Sequence, residues 1–286
     1  MVDIRVFRGR PGVGRMGVGL AVGLLGLSAS PLAASGAPNL LEDTFQLSLG
    51  TFILDFDPTL RLDGEAGAGT PVDWKGTFGG GDLTRFRIDG SWRFLDRHKL
   101  RAGWFNYSRT RSAIIDQEIS WGDEVFQVGA EVQSKFDFDV YQLGYEYAFR
   151  RTDSYELAAA IGLHVTDLSA SLSAQGSNQG GASEQANAET GSATAPLPVI
   201  GLSGLWALPN DFWLNASAQY FYLSFGDYEG RIQDYRLALT WQPRKWIGVG
   251  IGYDYFSLNV DADRPRFTGK LEWTYSGPML FYSASF

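Results

Sequence analysis

The stretch FRIDGSWRF, residues 86–94, alternates large apolar side chains with charged or small ones. Phe86, Ile88, Gly90, Trp92 and Phe94 share one face of an extended chain, and Arg87, Asp89, Ser91 and Arg93 share the other. A period of two is the mark of a strand with one apolar and one polar face. Working outward, the same period recurs along the chain. Tyr141, Leu143, Tyr145, Tyr147 and Phe149 oppose Gln142, Gly144 and Glu146. Tyr155 to Leu163 alternates apolar residues with Glu156, Ala158, Ala160, Gly162 and then His164. Further on, Phe212–Tyr222, Tyr235–Trp241 and Ile247–Tyr255 do the same, and Leu271, Trp273 and Tyr275 oppose Glu272 and Thr274.

Ten such segments can be counted, at about 43–57, 81–95, 99–115, 132–150, 154–173, 195–208, 211–225, 230–243, 246–260 and 268–286. Eight is the alternative if one hairpin is misread. In 43–57 the apolar residues change face between Leu49 and Phe52, and in 99–115 both faces are mixed. A soluble sandwich would spread its aromatics through a core. Here they gather at strand ends (Trp92, Phe94, Tyr147, Phe149, Phe212, Trp241 and Trp246), as an interfacial girdle requires. Short turns at Leu95–Lys99, Arg150–Ser154, Pro209–Asp211 and Pro243–Lys245 alternate with longer links, the pattern of periplasmic turns and outer loops. The expected fold class is all-β: a single antiparallel up-and-down transmembrane β-barrel. The Gly-, Ser-, Ala- and Gln-rich segment at about 174–195 is expected to be a mobile outer loop.

The two ends of the chain carry addresses. Arg5, Arg8, Arg10 and Arg15 precede an uncharged stretch from Met16 to Ser30, followed by small residues from Ala33 to Ala37. That order is a secretory signal, and the apolar stretch is short for a spanning helix, which needs about 20 residues. Residues 1–36 are therefore expected to be cleaved and 37–286 to form the barrel, exported by the Sec route to a Gram-negative outer membrane. Leu280, Tyr282 and Phe286 form an aromatic end on an amphipathic last strand, which resembles the signal read by the outer-membrane barrel assembly machinery. The stretches SWRFLDRHKLRAGWFNYSRT (91–110) and LEWTYSGPMLFYSASF (271–286) are similar to strand–turn–strand and closing-strand segments of the small outer-membrane barrels grouped around OmpA, OmpX and OmpW. That resemblance implies outer-membrane residence and no particular activity.

Composition narrows the function. Aromatics are 14% of residues and mean hydropathy is only −0.13, which suits strands burying one face. There is no cysteine, so thiolate metal sites and disulfides are excluded. Removing residues 1–36 leaves 31 acidic against 20 basic residues, a balance that excludes a nucleic-acid partner. No cofactor or metal is indicated. The expected partners are outer-membrane lipids, lipopolysaccharide and the assembly machinery, with the barrel a monomer.

A barrel of eight to ten strands is narrow and filled by side chains, whereas a wide porin needs about 16. The polar face would place Arg85, Arg87, Asp89, Arg93, Glu146, Glu156, Asp234, Arg236, Asp254 and Glu272 in the lumen. Confined charges pair, because an unpaired one costs several kcal/mol. The expected function is thus a structural or surface-interaction barrel with a narrow, charge-lined, largely plugged lumen. One alternative is a small-solute or ion channel. A second is a hydrolase at the barrel rim, for which His164 is the weak candidate base; a Ser, Asp or Glu would then lie within about 3 Å of it. The other histidine, His98, falls in a solvated turn with no apparent partner.

Overall fold

The computed structural model describes residues 38–64, 67–79, 83–175, 185–225, 228–264 and 267–286. The expected export segment, 1–36, lies outside them. Along the chain run β1 (Phe45–Leu62), β2 (Val72–Asp73), α1 (Trp74–Phe78), β3 (Leu83–Leu95), β4 (His98–Ile114), β5 (Ile119–Trp121) and β6 (Glu124–Phe126). Then follow β7 (Glu131–Arg151), β8 (Tyr155–Gln175), β9 (Gln185–Ala207), β10 (Phe212–Phe225), β11 (Tyr228–Arg244), β12 (Ile247–Arg264) and β13 (Phe267–Ser285). Ten of these, all but β2, β5 and β6, pair antiparallel with their neighbours in order. β13 then pairs with β1 from Gln46↔Ser285 to Leu62↔Gly269 and closes the barrel. The ten-strand count holds, and the eight-strand alternative falls.

All four short turns lie where the alternation stops, at the end of the barrel that also holds Phe45 and Phe286. In one of them, Asn210 and Asp211 take positive φ of 61° and 64°, a region these residue types tolerate. The expected loop at 174–195 is largely a wall instead. β8 and β9 stay paired through Ser173↔Ala188, and residues 185–195 are strand. A ladder needs backbone groups rather than apolar side chains, so small polar residues extend it without burying a core. The remaining part of that expected loop, 176–184, lies outside the described residues.

The strands are long: 21 residues in β7 and β8 and 23 in β9. About 9–11 suffice to cross a bilayer. The excess extends past the membrane on the side of the long connections, and the two faces exchange polarity there. In the half near the short turns, the outward side chains are apolar and exposed, among them Leu47, Trp92, Leu143, Ile161, Leu237, Ile251 and Leu280. On β7 this band runs from Phe149 to Tyr141, about 27 Å along the strand at ~3.4 Å per residue and roughly 20 Å across the bilayer at a ~40° tilt. Beyond Tyr141 the outward positions are Asp139, Asp137 and Lys135, while Val140, Phe138 and Phe136 turn inward and are buried.

The inward residues of this outer half form a buried aromatic core. Phe138 lies 4.4 Å from Trp273 and 4.9 Å from Tyr107, centroid to centroid, and Tyr275 lies 4.8 Å from Phe256 and 5.5 Å from Phe105. Trp74 and Phe78 of α1, with Ile119, Trp121 and Phe126 of the β5–β6 hairpin, complete it from above. Burying each large ring contributes about 1.5–3 kcal/mol. β2 lies along β1 at Thr59 and Leu60, beyond the point where β3 stops pairing at Leu54, and so leads the chain into α1. An inward polar face along the full strand length was the expectation; only the half within the membrane has it.

Trp273→Ala should therefore cost about 3–5 kcal/mol in a urea titration of the barrel in lipid vesicles. Its outward neighbour Glu272→Ala should change stability by no more than about 0.5 kcal/mol.

Candidate functional site

Within the membrane half, alternation sends β3 residues Arg87, Asp89 and Arg93 into the lumen opposite Gln142 and Glu146 of β7. Glu156 and His164 of β8, Asp234 and Arg236 of β11, and Asp254 of β12 join them. They sort into two layers. In the upper one, Arg87 donates from Nε to Asp89 Oδ2 at 2.8 Å, from Nη1 to Asp254 Oδ2 at 2.9 Å and from Nη2 to Gln142 Oε1 at 3.0 Å. Arg236 grips Asp254 at 2.9 and 3.1 Å and reaches Asp89 at 3.2 Å. Gln142 Nε2 passes the network on to Asp234 Oδ2 at 3.1 Å. Arg87 is 1% exposed and Asp254 2%. A guanidinium has five donors in a planar fork, and here the fork is shared among three partners, as a desolvated Arg requires. The Arg87 guanidinium also sits 5.2 Å from the Phe105 ring centroid, so this layer is roofed by the aromatic core.

The lower layer lies nearer the short turns. Glu146 binds Arg101 at 3.0 Å and Lys99 at 3.1 Å; Glu156 binds Lys99 at 2.6 Å, Arg93 at 2.8 Å and Arg151 at 3.7 Å. Three hollows of about 100, 70 and 40 Å³ lie around these layers, each lined by Asp89 and Arg101. At about 30 Å³ per water, they have room for between one and about three water molecules each. Below, residues 38–44 cover the mouth: Leu40 and Leu41 pack on Leu205 and Trp213. Gln46 Nε2 and Arg151 Nη2 donate to the carbonyls of Leu40 and Leu41 at 2.6 and 2.5 Å.

Of the ten lumen charges expected, eight enter these layers and two do not. Arg85 lies above the upper layer, its Nη2 donating to the Ser108 carbonyl at 2.7 Å and its guanidinium 5.2 Å from the Tyr107 ring. Glu272 is on the opposite face from the buried Trp273 and Tyr275, because at that height the apolar face of β13 is the inner one. Gln142, Lys99, Arg101, Arg151 and Gln219 were missed. Lys99 and Arg101 alternate with Leu100 and Ala102, a signal hidden because β4 changes polarity midway.

His164 is buried at the height of the upper layer. Its Nε2 meets Gln219 Oε1 at 2.8 Å and lies 3.8 Å from Asp234 Oδ2, and its ring stacks 6.1 Å from Phe256. The hydrolase reading called for an outer-rim His with a Ser, Asp or Glu at about 3 Å, and His164 meets neither condition. Its sequence neighbour Asp167 is exposed, on the outward face. His98 is not isolated: Nδ1 meets the Tyr145 hydroxyl at 2.6 Å, and the ring packs beside Phe94 and Tyr147 in the girdle. Leu280, Tyr282 and Phe286 all face outward, 62%, 43% and 56% exposed, and Phe286 N–H donates to the Phe45 carbonyl across the closing seam. Among the described residues, no group of three or more His, Asp and Glu side chains is placed to hold a metal ion.

No protein-family model and no curated protein matches the sequence. Solved structures do share the architecture. The outer membrane protease OmpT from Escherichia coli superposes with a TM-score of 0.55 at 12% identity, covering 88% of this chain and 98% of that one. Looser matches are the toluene transporter TodX of Pseudomonas putida (TM-score 0.34, 12% identity, 85% and 90% covered) and Ail, the attachment invasion locus protein of Yersinia pestis (0.35, 13%, 85% and 99%). The last two superpose too loosely to argue from, and the first speaks for the fold alone. A closed antiparallel barrel with an apolar outer band between aromatic girdles spans a membrane. The protein is a membrane-spanning β-barrel with the fold of an outer-membrane barrel.

Asp254→Ala removes a carboxylate shared by Arg87 and Arg236 and should cost about 3–5 kcal/mol. The loss from Asp254→Ala combined with Arg87→Met should be smaller than the sum of the single losses, as read from urea unfolding in a double-mutant cycle.

Proposed function

We propose that this barrel is sealed, and that it works through its outer surface rather than by passing solutes. The observation that carries this reading is the stack of two closures in one lumen. The Arg87–Asp89–Asp254–Arg236 layer bridges the lumen from β3 to β11 and β12, and Phe105, Phe138, Trp273 and Tyr275 beyond it have at most 1% exposure. An ion crossing the outer half would shed its hydration among aromatic rings, a cost of several kcal/mol or more. The role that remains is structural support of the envelope or recognition at the rim and outer strand extensions. On this reading residues 1–36 are the export signal, the last strand is read by the assembly machinery, and the monomeric barrel wall contacts lipid and lipopolysaccharide.

A small channel is the second reading, favoured by the three polar-lined hollows below the roof. Single-channel recording in a planar bilayer separates the two. The refolded barrel should give a heat-modifiable gel shift without steady conductance. Cutting the roof with Phe138→Ala, Trp273→Ala and Tyr275→Ala together should open steps that the parent lacks. Stable, salt-dependent conductance in the parent, abolished by Arg87→Gln, would establish a pore instead.

A further inference from the structure

The seam that closes the barrel has a break within the apolar band. β1 and β13 pair as far as Phe52↔Met279 and resume at Asp55↔Ser276. Pro278 stands in the break, opposite Ile53. Proline has no N–H, so residue 278 cannot donate to the Ile53 carbonyl, and that rung of the ladder is lost. On the other side of β13, pairing with β12 continues through Tyr253↔Pro278 and Asp254↔Gly277. The fault is therefore confined to the seam.

An open groove of about 820 Å³ runs over this break on the outside of the wall. It follows two rows of outward side chains that cross the strands. Leu214, Leu239, Ile251, Leu280 and Thr51 are successive cross-strand partners from β10 round to β1. Leu237, Tyr253, Pro278 and Ile53 form the next row towards the outer end. The floor reaches Gly252 and Met279, which belong to the inward face. Apart from the Thr51 and Tyr253 hydroxyls, every lining side chain is hydrocarbon or thioether. Four strand intervals of ~4.8 Å make the rows about 19 Å long. At a strand tilt of ~40° they climb about 12 Å, close to the ~15 Å depth of one leaflet. They start at Leu214, just after the turn at Pro209–Asp211, and end at Ile53, before the exposed Asp55.

We infer that this groove seats one acyl chain of a membrane lipid, which enters from the leaflet on the side of the long connections and covers the break in the seam. The groove is continuous with the lipid-facing band, so lipid is what surrounds it. Lipid tails are as apolar as Leu, so fit selects the occupant rather than a hydrophobic gain. An unfilled groove would forfeit the dispersion contacts of its lining, and a flexible chain restores them. A second copy of the barrel is a poorer occupant. The two rows cover about 300 Å², well under the ~800 Å² per partner of a stable interface. The inference rests on the outer band and holds whether or not the lumen conducts.

The test is photolabelling of the mature barrel in nanodiscs by a phosphatidylcholine with a diazirine midway along one chain. Labelled positions are read by peptide mass spectrometry. Ile251, Tyr253 and Leu280 should be labelled several-fold more than Leu143 and Ile161, which are as exposed on the wall of β7 and β8. Thr51→Phe with Pro278→Phe fills the groove from lipid-facing positions. It should bring labelling of Ile251, Tyr253 and Leu280 down to that of the β7–β8 wall. Leu143→Phe, on the far wall, should leave the preference unchanged. The gel shift shows that each variant is folded. Even labelling around the parent barrel would overturn the proposal, and so would a preference that survives filling of the groove. A dimer in native mass spectrometry that the filled variant abolishes would put a second copy there instead. Labelling by diazirine-bearing palmitate but not by the phospholipid would assign the seat to a free chain, and the lipid would be ruled out.

Discussion

The hydrogen-bond seam between β1 and β13 is the contact on which the rest of the molecule depends. Inside a bilayer no water is available to an open strand edge, and each unsatisfied backbone group costs several kcal/mol. Pairing from Gln46↔Ser285 to Leu62↔Gly269 removes both edges at once. It also fixes parity. Once the ladder closes, each side chain is committed to lipid or lumen, and a slip of one residue would turn every charged position of a strand outward. The terminal Phe286 lies on this seam, bonded to Phe45 in both directions at 2.8 and 3.0 Å.

Closure creates an enclosed space that must be filled without stranding charge. The chain fills it differently at the two heights. Within the membrane the outer face must be apolar, so the polar residues are inside, and Arg87 and Arg236 share Asp89 and Asp254 because an unpaired charge there would be costly. Above the membrane the outer face meets water and the inside becomes an ordinary aromatic core. Small residues make room where the lumen is narrow: an added Cβ on Gly250 would sit 2.2 Å from the Phe281 ring. The charged layer lies at the boundary between the two fillings, touching Phe105 on one side and polar-lined hollows on the other.

Period-two alternation made the ten strands and all four short turns legible from residues alone, because it follows directly from the pleat. Eight of the ten lumen charges were legible for the same reason. The inversion of polarity was not. It left a trace in β1, where the apolar residues change face between Leu49 and Phe52, and another in the mixed faces of β4. On β13 the rule that aromatic residues face lipid put Trp273 and Tyr275 outward and Glu272 inward. Counting parity back from Tyr282 and Leu280 gives the observed arrangement. The hydrogen bonds of Gln142 and Gln219 were hidden for another reason: they bridge strands that only the closed barrel brings face to face. The segment at 185–195 misled because composition reports on core burial, and a strand extension beyond the membrane needs none.

On the sealed-barrel reading, the polar-lined hollows around the charged layer hold water and the aromatic roof excludes it. Solid-state NMR of the barrel in lipid bilayers, with polarisation transferred from water to protein, tests this most directly. Transfer should be rapid at Asp89 and Arg101 and absent at Phe138, Trp273 and Tyr275 on the same timescale. Rapid transfer to Trp273 and Tyr275 would mean a wetted outer half, and the sealed barrel would be contradicted.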